Sequence, residues 1–229
     1  MRKSSAGVLL ILMAFAAPAV AGTIDHLVLG VSDLNAGIEE FRSRTGIEPV
    51  FGGNHPNGGT RNALASLGDG IYIEIIAPNP EAELSPMYTS LKNLDTLTPI
   101  MWAVGVEDAE AAKALLDSKG YPATPVMKGS RVKPDGSVLN WQTVAVPSST
   151  TYLPFFIQWD KDSIHPSKSS PAGCSLASLS ITDPQPENLQ KLLAAFQLTP
   201  DVKPGTPASF AIVLKCPKGE VRFDSPKGS

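Results

Sequence analysis

The sequence predicts an α+β fold assembled from repeated modules, because the same local pattern begins three times along the chain. In each case a strand is followed by an acidic residue and then by a helix that ends near a glycine or a loop. The strands span 24–31, 100–106 and 176–182, the acidic residues are Asp33, Asp108 and Asp183, and the helices span 35–45, 109–119 and 187–196. The period of roughly 75 residues is too long for a solenoid and suits the pairing of whole modules.

The first 21 residues are typical of a secretory signal peptide. Arg2 and Lys3 precede an apolar run over 8–17, and small residues lead to a cleavage site after Ala21. A membrane anchor would need roughly 18 or more apolar residues, and this run is shorter. We therefore expect a secreted or periplasmic protein with no membrane attachment after cleavage.

The net charge and the two cysteines indicate which partners and which compartment to expect. The chain has 229 residues and a net charge of −3, and removal of the signal, which carries two cations, makes the mature protein more acidic. An acidic surface does not neutralise phosphates, so nucleic acid is an unexpected partner. The two cysteines, Cys174 and Cys216, would pair readily in an oxidising compartment. The alternative is two buried thiols.

The first module, residues 23–78, has the predicted order β-α-β-β-β. Its helix stops at Gly46, the glycine-rich stretch 52–59 is predicted as a loop, and strands follow over 60–67 and 70–77. The second module, residues 98–160, adds strands over 139–146 and 154–159 after its helix. A third, partial module occupies 172–226, with strands over 210–215 and 220–223.

Three stretches resemble the glyoxalase-like domain of the vicinal oxygen chelate superfamily. They are Ile24–Pro78, which contains Gly-Gly-x-His-Pro and Gly-Thr-x-Asn, Ser130–Gln142 and Leu153–Asp160. The resemblance implies a domain over 22–166 in which paired βαβββ modules form a curved sheet around a cleft. It also implies a monomer or a homodimer, since modules of this superfamily pair between chains as well. The superfamily includes isomerases, dioxygenases, antibiotic-modifying enzymes and binding proteins, so the reaction stays open.

Strand alternation suggests where the cleft lies. Ile24, His26 and Val28 share one face of the first strand, and Glu74 lies opposite an isoleucine-rich face that suits packing against a helix. In metal-binding relatives the positions of His26 and Glu74 supply metal ligands. Burying the two groups without partners would cost several kcal/mol, so either a divalent cation or a mutual hydrogen bond is expected.

The second module lacks the matching ligands. An alignment of the two modules matches Met101 with His26 and Gln158 with Glu74. Methionine and glutamine are poor ligands for hard or borderline divalent ions. His55, in the glycine-rich stretch, is a replacement. His26, His55 and Glu74 would then hold one divalent ion, with Zn, Mn, Fe, Co and Ni all compatible. The alternative for His55 is an ordinary loop histidine.

Other residues are candidates for substrate binding. Thr60 and Asn62 share a face of the next strand and would bond a polar substrate, while Gln158 and Trp159 would line the cleft. Arg131 either clamps a carboxylate in bidentate fashion or is a solvated loop cation. The glycines at 52, 53, 58 and 59 suggest a backbone nest for an anion, and His165 is predicted to lie in a surface loop.

Two functions follow from these residues. In the first, the protein is a metalloenzyme whose ion polarises a small oxygen-bearing substrate, with Glu74 or His55 as the catalytic base. In the second, the same cleft binds or sequesters a small molecule without a metal. A third hypothesis is that the protein is a structural or partner-binding domain.

Overall fold

The computed structural model describes residues 20–147 and 152–226, so all of the predicted signal sequence over 1–21 except its last two residues lies outside the described residues. The strands are β1 Gly22–Gly30, β2 Val50–His55, β3 Thr60–Gly68, β4 Ile71–Pro78, β5 Thr98–Val106, β6 Met127–Val132, β7 Val138–Val144, β8 Phe155–Trp159, β9 Ser175–Asp183, β10 Asp201–Pro204, β11 Ser209–Cys216 and β12 Gly219–Asp224. The helices are α1 Leu34–Thr45, α2 Ala109–Ser118, α3 Pro166–Ser169 and α4 Pro186–Ala195, and a 3₁₀ helix spans Pro86–Asn93.

Eight strands form one curved sheet built from two equal halves. The strand order is β2-β3-β4-β1-β5-β8-β7-β6. In each half the first strand pairs in parallel with the last, β1 with β4 and β5 with β8, and the remaining pairs are antiparallel. The halves join through the antiparallel pair β1–β5. The prediction of paired βαβββ modules is confirmed.

Two stretches with the composition of loops contain strands at the edges of this sheet. The stretch 52–59 was expected to be a loop, but its first half, residues 52–55, belongs to β2. The stretch around Arg131 also reads as a loop by composition, yet it lies in β6. The edges β2 and β6 approach each other closely, because a Cβ built on Gly53 would lie 2.5 Å from the carbonyl oxygen of Val132. The sheet is therefore almost closed into a barrel.

Aspartates begin two of the helices as predicted. The Asp33 carboxylate accepts from the Ala36 amide at 2.8 Å, and Asp108 accepts from Ala111 at 3.0 Å, which satisfies amides that have no partner within the helix. The third case differs. Asp183 accepts from the Gln185 amide at 2.7 Å in the turn before α4, and Gln185 is the capping residue.

The last strands form a second, four-stranded sheet in the order β10-β9-β11-β12. The order of elements over 175–224 is again β-α-β-β-β. The pairing, however, differs from that of the first two modules, because β9 lies between a parallel β10 and an antiparallel β11. A disulfide joins Cys174, just before β9, to Cys216 at the end of β11.

One hydrophobic core runs between the two sheets. Phe156 of the eight-stranded sheet packs on Phe196, with ring centroids 4.3 Å apart, and Phe41 of α1 stacks on Phe223 of β12 at 6.0 Å. All four rings are buried. The C-terminal sheet and the eight-stranded sheet therefore share one hydrophobic core. None of the helices in the described ranges is long and apolar enough to span a bilayer.

Candidate functional site

The inner surface of the curved sheet carries a cluster of polar side chains. In the parallel pair β1–β4, His26 lies opposite Tyr72 and Val28 lies opposite Glu74. His26 Nε2 is 3.6 Å from Glu74 Oε2, and both residues are buried. The alternate residues of β4 face the helices and the main core, as the isoleucine-rich face predicts. The structure therefore brings His26 and Glu74 into the same cluster.

A β-bulge adds Asp25 to this cluster. The pairing of β1 with β5 shifts register between Ile24 and His26, so consecutive residues no longer alternate there. Asp25 Oδ1 lies 2.6 Å from His26 Nδ1, on the inner side. Ile24 packs on the main core instead, so the prediction that it shares a face with His26 is wrong. Simple alternation could not have revealed Asp25.

Asp25 has two further partners. Its Oδ2 accepts from Trp159 Nε1 at 3.0 Å and lies 3.1 Å from His165 Nε2. Burial disfavours the charged carboxylate, but the hydrogen bonds to His165 and His26 outweigh it and hold the pKa of Asp25 well below its usual range. His165, predicted to lie in a surface loop, is thus part of the site. Its Nδ1 contacts Ser167 Oγ at 2.7 Å.

A second chain of hydrogen bonds runs from β6 to β4. Arg131 Nη1 donates to Asn62 Oδ1 at 2.6 Å, and Asn62 Nδ2 donates to Glu74 Oε1 at 2.6 Å. Asn62 Nδ2 also lies 3.3 Å from His55 Nε2, and His55 Nδ1 lies 3.0 Å from Thr60 Oγ1. Five predicted site residues are therefore joined in one network: Arg131, Asn62, Glu74, His55 and Thr60.

The donors and acceptors of this network follow from Arg131. A guanidinium only donates, so Asn62 must turn its oxygen toward Arg131 and its NH₂ group toward Glu74 and His55. His55 Nε2 is then an acceptor, and its proton resides on Nδ1, which donates to Thr60. On the other side of the cluster, ionised Asp25 can only accept, so His26 Nδ1 donates to it and Nε2 faces Glu74.

The buried charges shift the pKa values of their neighbours. Burial works against ionised Glu74, but His55, His26 and the hydrogen bond from Asn62 lower the pKa of its carboxyl. Burial lowers the pKa of His55, which agrees with a neutral imidazole that accepts from Asn62. Burial and the nearby carboxylates raise the pKa of Tyr72, which stacks on His26 at 4.6 Å, well above its usual value.

Arg131 is not the solvated cation that a loop would allow, because it is only 3% exposed. Its path to Asn62 crosses β2 where two glycines stand. A Cβ on Gly52 would lie 2.2 Å from Arg131 Nη1, and one on Gly53 would lie 3.0 Å from Arg131 Cγ. The amides of the later pair of glycines, at 58 and 59, donate to the His55 carbonyl, so the predicted anion nest is wrong there. The first pair makes room for Arg131.

Gln158 does not face the cleft. Its Oε1 accepts from the Ala109 amide at 2.9 Å and so caps α2, while Trp159, on the other face of β8, reaches Asp25. The strand pairings explain the error. Leu27 lies opposite Trp102, so the pseudo-twofold between β1 and β5 relates Val28 to Ala103. Val28 lies opposite Glu74 and Ala103 lies opposite Phe155, so Glu74 corresponds to Phe155. The alignment of the two modules placed Gln158 there, three residues too far along.

The other end of the interior is apolar. Buried Val28, Ile76 and Leu91 pack with a ring of partly buried residues that includes Tyr88, Met101 and Phe155. Tyr88 comes from the 3₁₀ helix, and burial together with Glu74 raises the pKa of its phenol to about 12. No motif in the sequence pointed to Tyr88. The interior thus has a charged half and an apolar half.

The arrangement does not fit a metal ion held by His26, His55 and Glu74. The Nε2 lone pair of His55 and one oxygen of Glu74 already accept from Asn62, and the buried Arg131 cation lies one residue behind that amide. At the positions related to His26 and Glu74 by the pseudo-twofold, Met101 and Phe155 offer no hard ligand. Across residues 20–147 and 152–226 no group of three or more His, Cys, Asp or Glu residues is placed to hold a metal.

Comparison with known proteins supports the fold. A family model described as a glyoxalase-like domain matches residues 24–196. A hypothetical protein from Staphylococcus aureus superposes with a TM-score of 0.62 at 17% identity, covering 90% of this chain and 86% of that chain. Methylmalonyl-CoA epimerase from Mycobacterium tuberculosis aligns at 23% identity and a TM-score of 0.44, covering 63% of this chain and 92% of that one. Curated proteins give no match.

Proposed function

We propose, since this chain belongs to the family of glyoxalase-like domains, that its inner cluster binds a small oxygen-bearing molecule and moves a proton on it without a metal. The observation that carries the proposal is the position of His26. Its Nδ1 is 2.6 Å from the Asp25 carboxylate, and its Nε2 points toward Glu74, 3.6 Å away. An imidazole oriented by one carboxylate and facing a second is suited to general base catalysis.

The proposed step is removal of a proton from a carbon next to a carbonyl group. The C–H bond breaks, the proton goes to His26 Nε2, and the electron pair moves to the carbonyl oxygen to give an enolate. The imidazolium formed between Asp25 and Glu74 is stabilised by two negative charges, both held ionised by lowered pKa values. The proton on the imidazolium exchanges with solvent, and His26 Nε2 then returns a proton to the carbon while the electron pair moves back from the oxygen. Glu74, whose pKa is lowered, is a weak base and serves to stabilise the cation.

Hydrogen–deuterium exchange tests this proposal. Small keto acids, hydroxy acids and aldehydes would be incubated with the mature protein in D₂O and excess chelator, and loss of the proton next to the carbonyl would be followed by NMR. We expect exchange that is lost in His26→Gln and unchanged in Arg61→Gln, which alters the outer face of β3. Exchange that needs an added divalent ion would favour the metalloenzyme, and binding without exchange would favour the metal-free binding module.

We also propose that the protein acts outside the cytoplasm. The basic, apolar and small residues of 1–21 support export, and the disulfide between Cys174 and Cys216 suits an oxidising compartment. Mass spectrometry of the protein recovered from cell fractions tests the proposal. We expect a mature chain beginning at Gly22 in the periplasm or medium, and a full-length chain in the cytoplasm would contradict it.

A further inference from the structure

We infer that Arg131 anchors the carboxylate of the ligand, and that the ligands of this cleft are small carboxylic acids with a planar body. The inference deepens the proposed function and rests on it, because both use the inner face of the curved sheet. It assigns a chemical class to the molecule on which His26 would act.

The first argument is the charge of Arg131. The residue is 3% exposed, and among the described residues its side chain donates one hydrogen bond, from Nη1 to Asn62. Within the described ranges its buried Nε has no hydrogen-bond partner, and no carboxylate oxygen lies within 4.0 Å of the guanidinium. Glu74 is linked to the guanidinium only through Asn62, and a buried cation without a direct ion pair is costly. A carboxylate matches the guanidinium fork with two parallel hydrogen bonds and removes that cost.

The second argument is the position of Arg131 beside flat aromatic surfaces. In the β6–β7 pair Gly129 lies opposite Trp141, and Arg131 lies two residues further on the same face. Trp141 in turn lies opposite Trp159, and their ring centroids are 5.5 Å apart. A Cβ on Gly129 would lie 2.3 Å from Trp141 Nε1, so the glycine lets the indole lie against the strand. Both tryptophans are half-buried, which leaves part of each ring accessible to a ligand.

A second arginine provides an internal comparison. Arg61 also has a buried Nε without a hydrogen-bond partner among the residues described. It differs from Arg131 in having a carboxylate nearby, since Arg61 Nη2 lies 3.9 Å from Asp33 Oδ2. It also lies on the opposite face of β3 from Asn62, outside the cleft. Arg61 is therefore a matched control for a change of charge.

Calorimetric titration with benzoate and benzamide tests the inference. The two probes have the same planar shape and differ in charge, so only an anion site separates them. We expect benzoate to bind the mature protein at least about tenfold more tightly than benzamide. We expect Arg131→Gln to lower benzoate affinity about tenfold or more, and Arg131→Lys to have an intermediate effect because its ammonium keeps the charge but loses the fork. Arg61→Gln should leave the affinity unchanged.

Three results would overturn the inference: equal affinity for the two probes, no benzoate binding at millimolar concentration, or full affinity in a folded Arg131→Gln. If Arg131→Gln does not fold, as judged by circular dichroism, the two-probe comparison and Arg131→Lys decide. The two proposals fail separately. Benzoate binding that depends on Arg131, without exchange that depends on His26, would refute only the proton transfer. The reverse result would refute only the carboxylate anchor.

Discussion

Replacing Gly52 with alanine tests whether the strand β2 is shaped around Arg131. The new Cβ would lie 2.2 Å from Arg131 Nη1, 2.5 Å from Asn62 Oδ1 and 2.9 Å from Leu64 Cδ1. It therefore cannot coexist with the hydrogen bond between the first two. Losing a hydrogen bond to a charged group costs about 1.5–3 kcal/mol, and overpacking costs about 1–3 kcal/mol. Because the two effects overlap, we expect Gly52→Ala to lower the free energy of unfolding by about 2–4 kcal/mol.

Urea denaturation followed by circular dichroism measures this change. Gly58→Ala is the matched control. It lies in the same stretch, its nearest new contacts would be at 3.2 Å with the side chains of Thr60 and Tyr88, and we expect a loss below about 1 kcal/mol. In an Arg131→Gln background the effect of Gly52→Ala should shrink, because the obstructed guanidinium is gone. Equal losses in Gly52→Ala and Gly58→Ala would refute the reasoning.

Three further predictions concern stability. The disulfide between Cys174 and Cys216 spans 42 residues, so replacing both with serine should lower stability by about 4 kcal/mol and abolish the effect of dithiothreitol on the melting temperature. Burial lowers the pKa of His55 in the folded protein, so its contribution to stability is present above the unfolded value of 6.5 and is lost as pH falls toward the folded pKa. His55→Gln should therefore remove the corresponding dependence of the melting temperature on pH between pH 5 and 7. Asp25 also has a lowered pKa, so its stabilisation is present above the unfolded value of 3.8 and is lost with acid. Asp25→Asn should be less stable at pH 7 and flatter below pH 4, and an unchanged acid profile would contradict the network.

Patterns confined to one module predicted much of the fold. The alternating isoleucines of β4 face the main core, and Asp33 and Asp108 cap their helices, because both features depend on neighbours within a few residues. The edge strands were missed for the opposite reason. Composition around Gly52 and Arg131 is typical of loops, and what makes these stretches strands is the closure of the sheet, which joins distant parts of the chain.

The candidate site was predictable only in part. His26 and Glu74 converge as alternation suggests, whereas Asp25 enters the site through a bulge whose presence depends on pairing with β5. Gln158 was misplaced because an alignment of two sequence segments does not determine which residues lie opposite each other in a parallel pair of strands. His165 is carried by a short segment after the last strand of the second module, where its sequence shows no periodic pattern.

The packing between the two sheets has a consequence for cutting the chain into fragments. Phe41 and Phe156 belong to the eight-stranded part, but their aromatic neighbours, Phe223 and Phe196, come from the C-terminal part. A fragment that ends before β9 would leave those rings uncovered in water and would tend to aggregate. We therefore expect the shortest piece that folds by itself to extend to the end of β12, beyond the boundary at residue 166 that the resemblance implies.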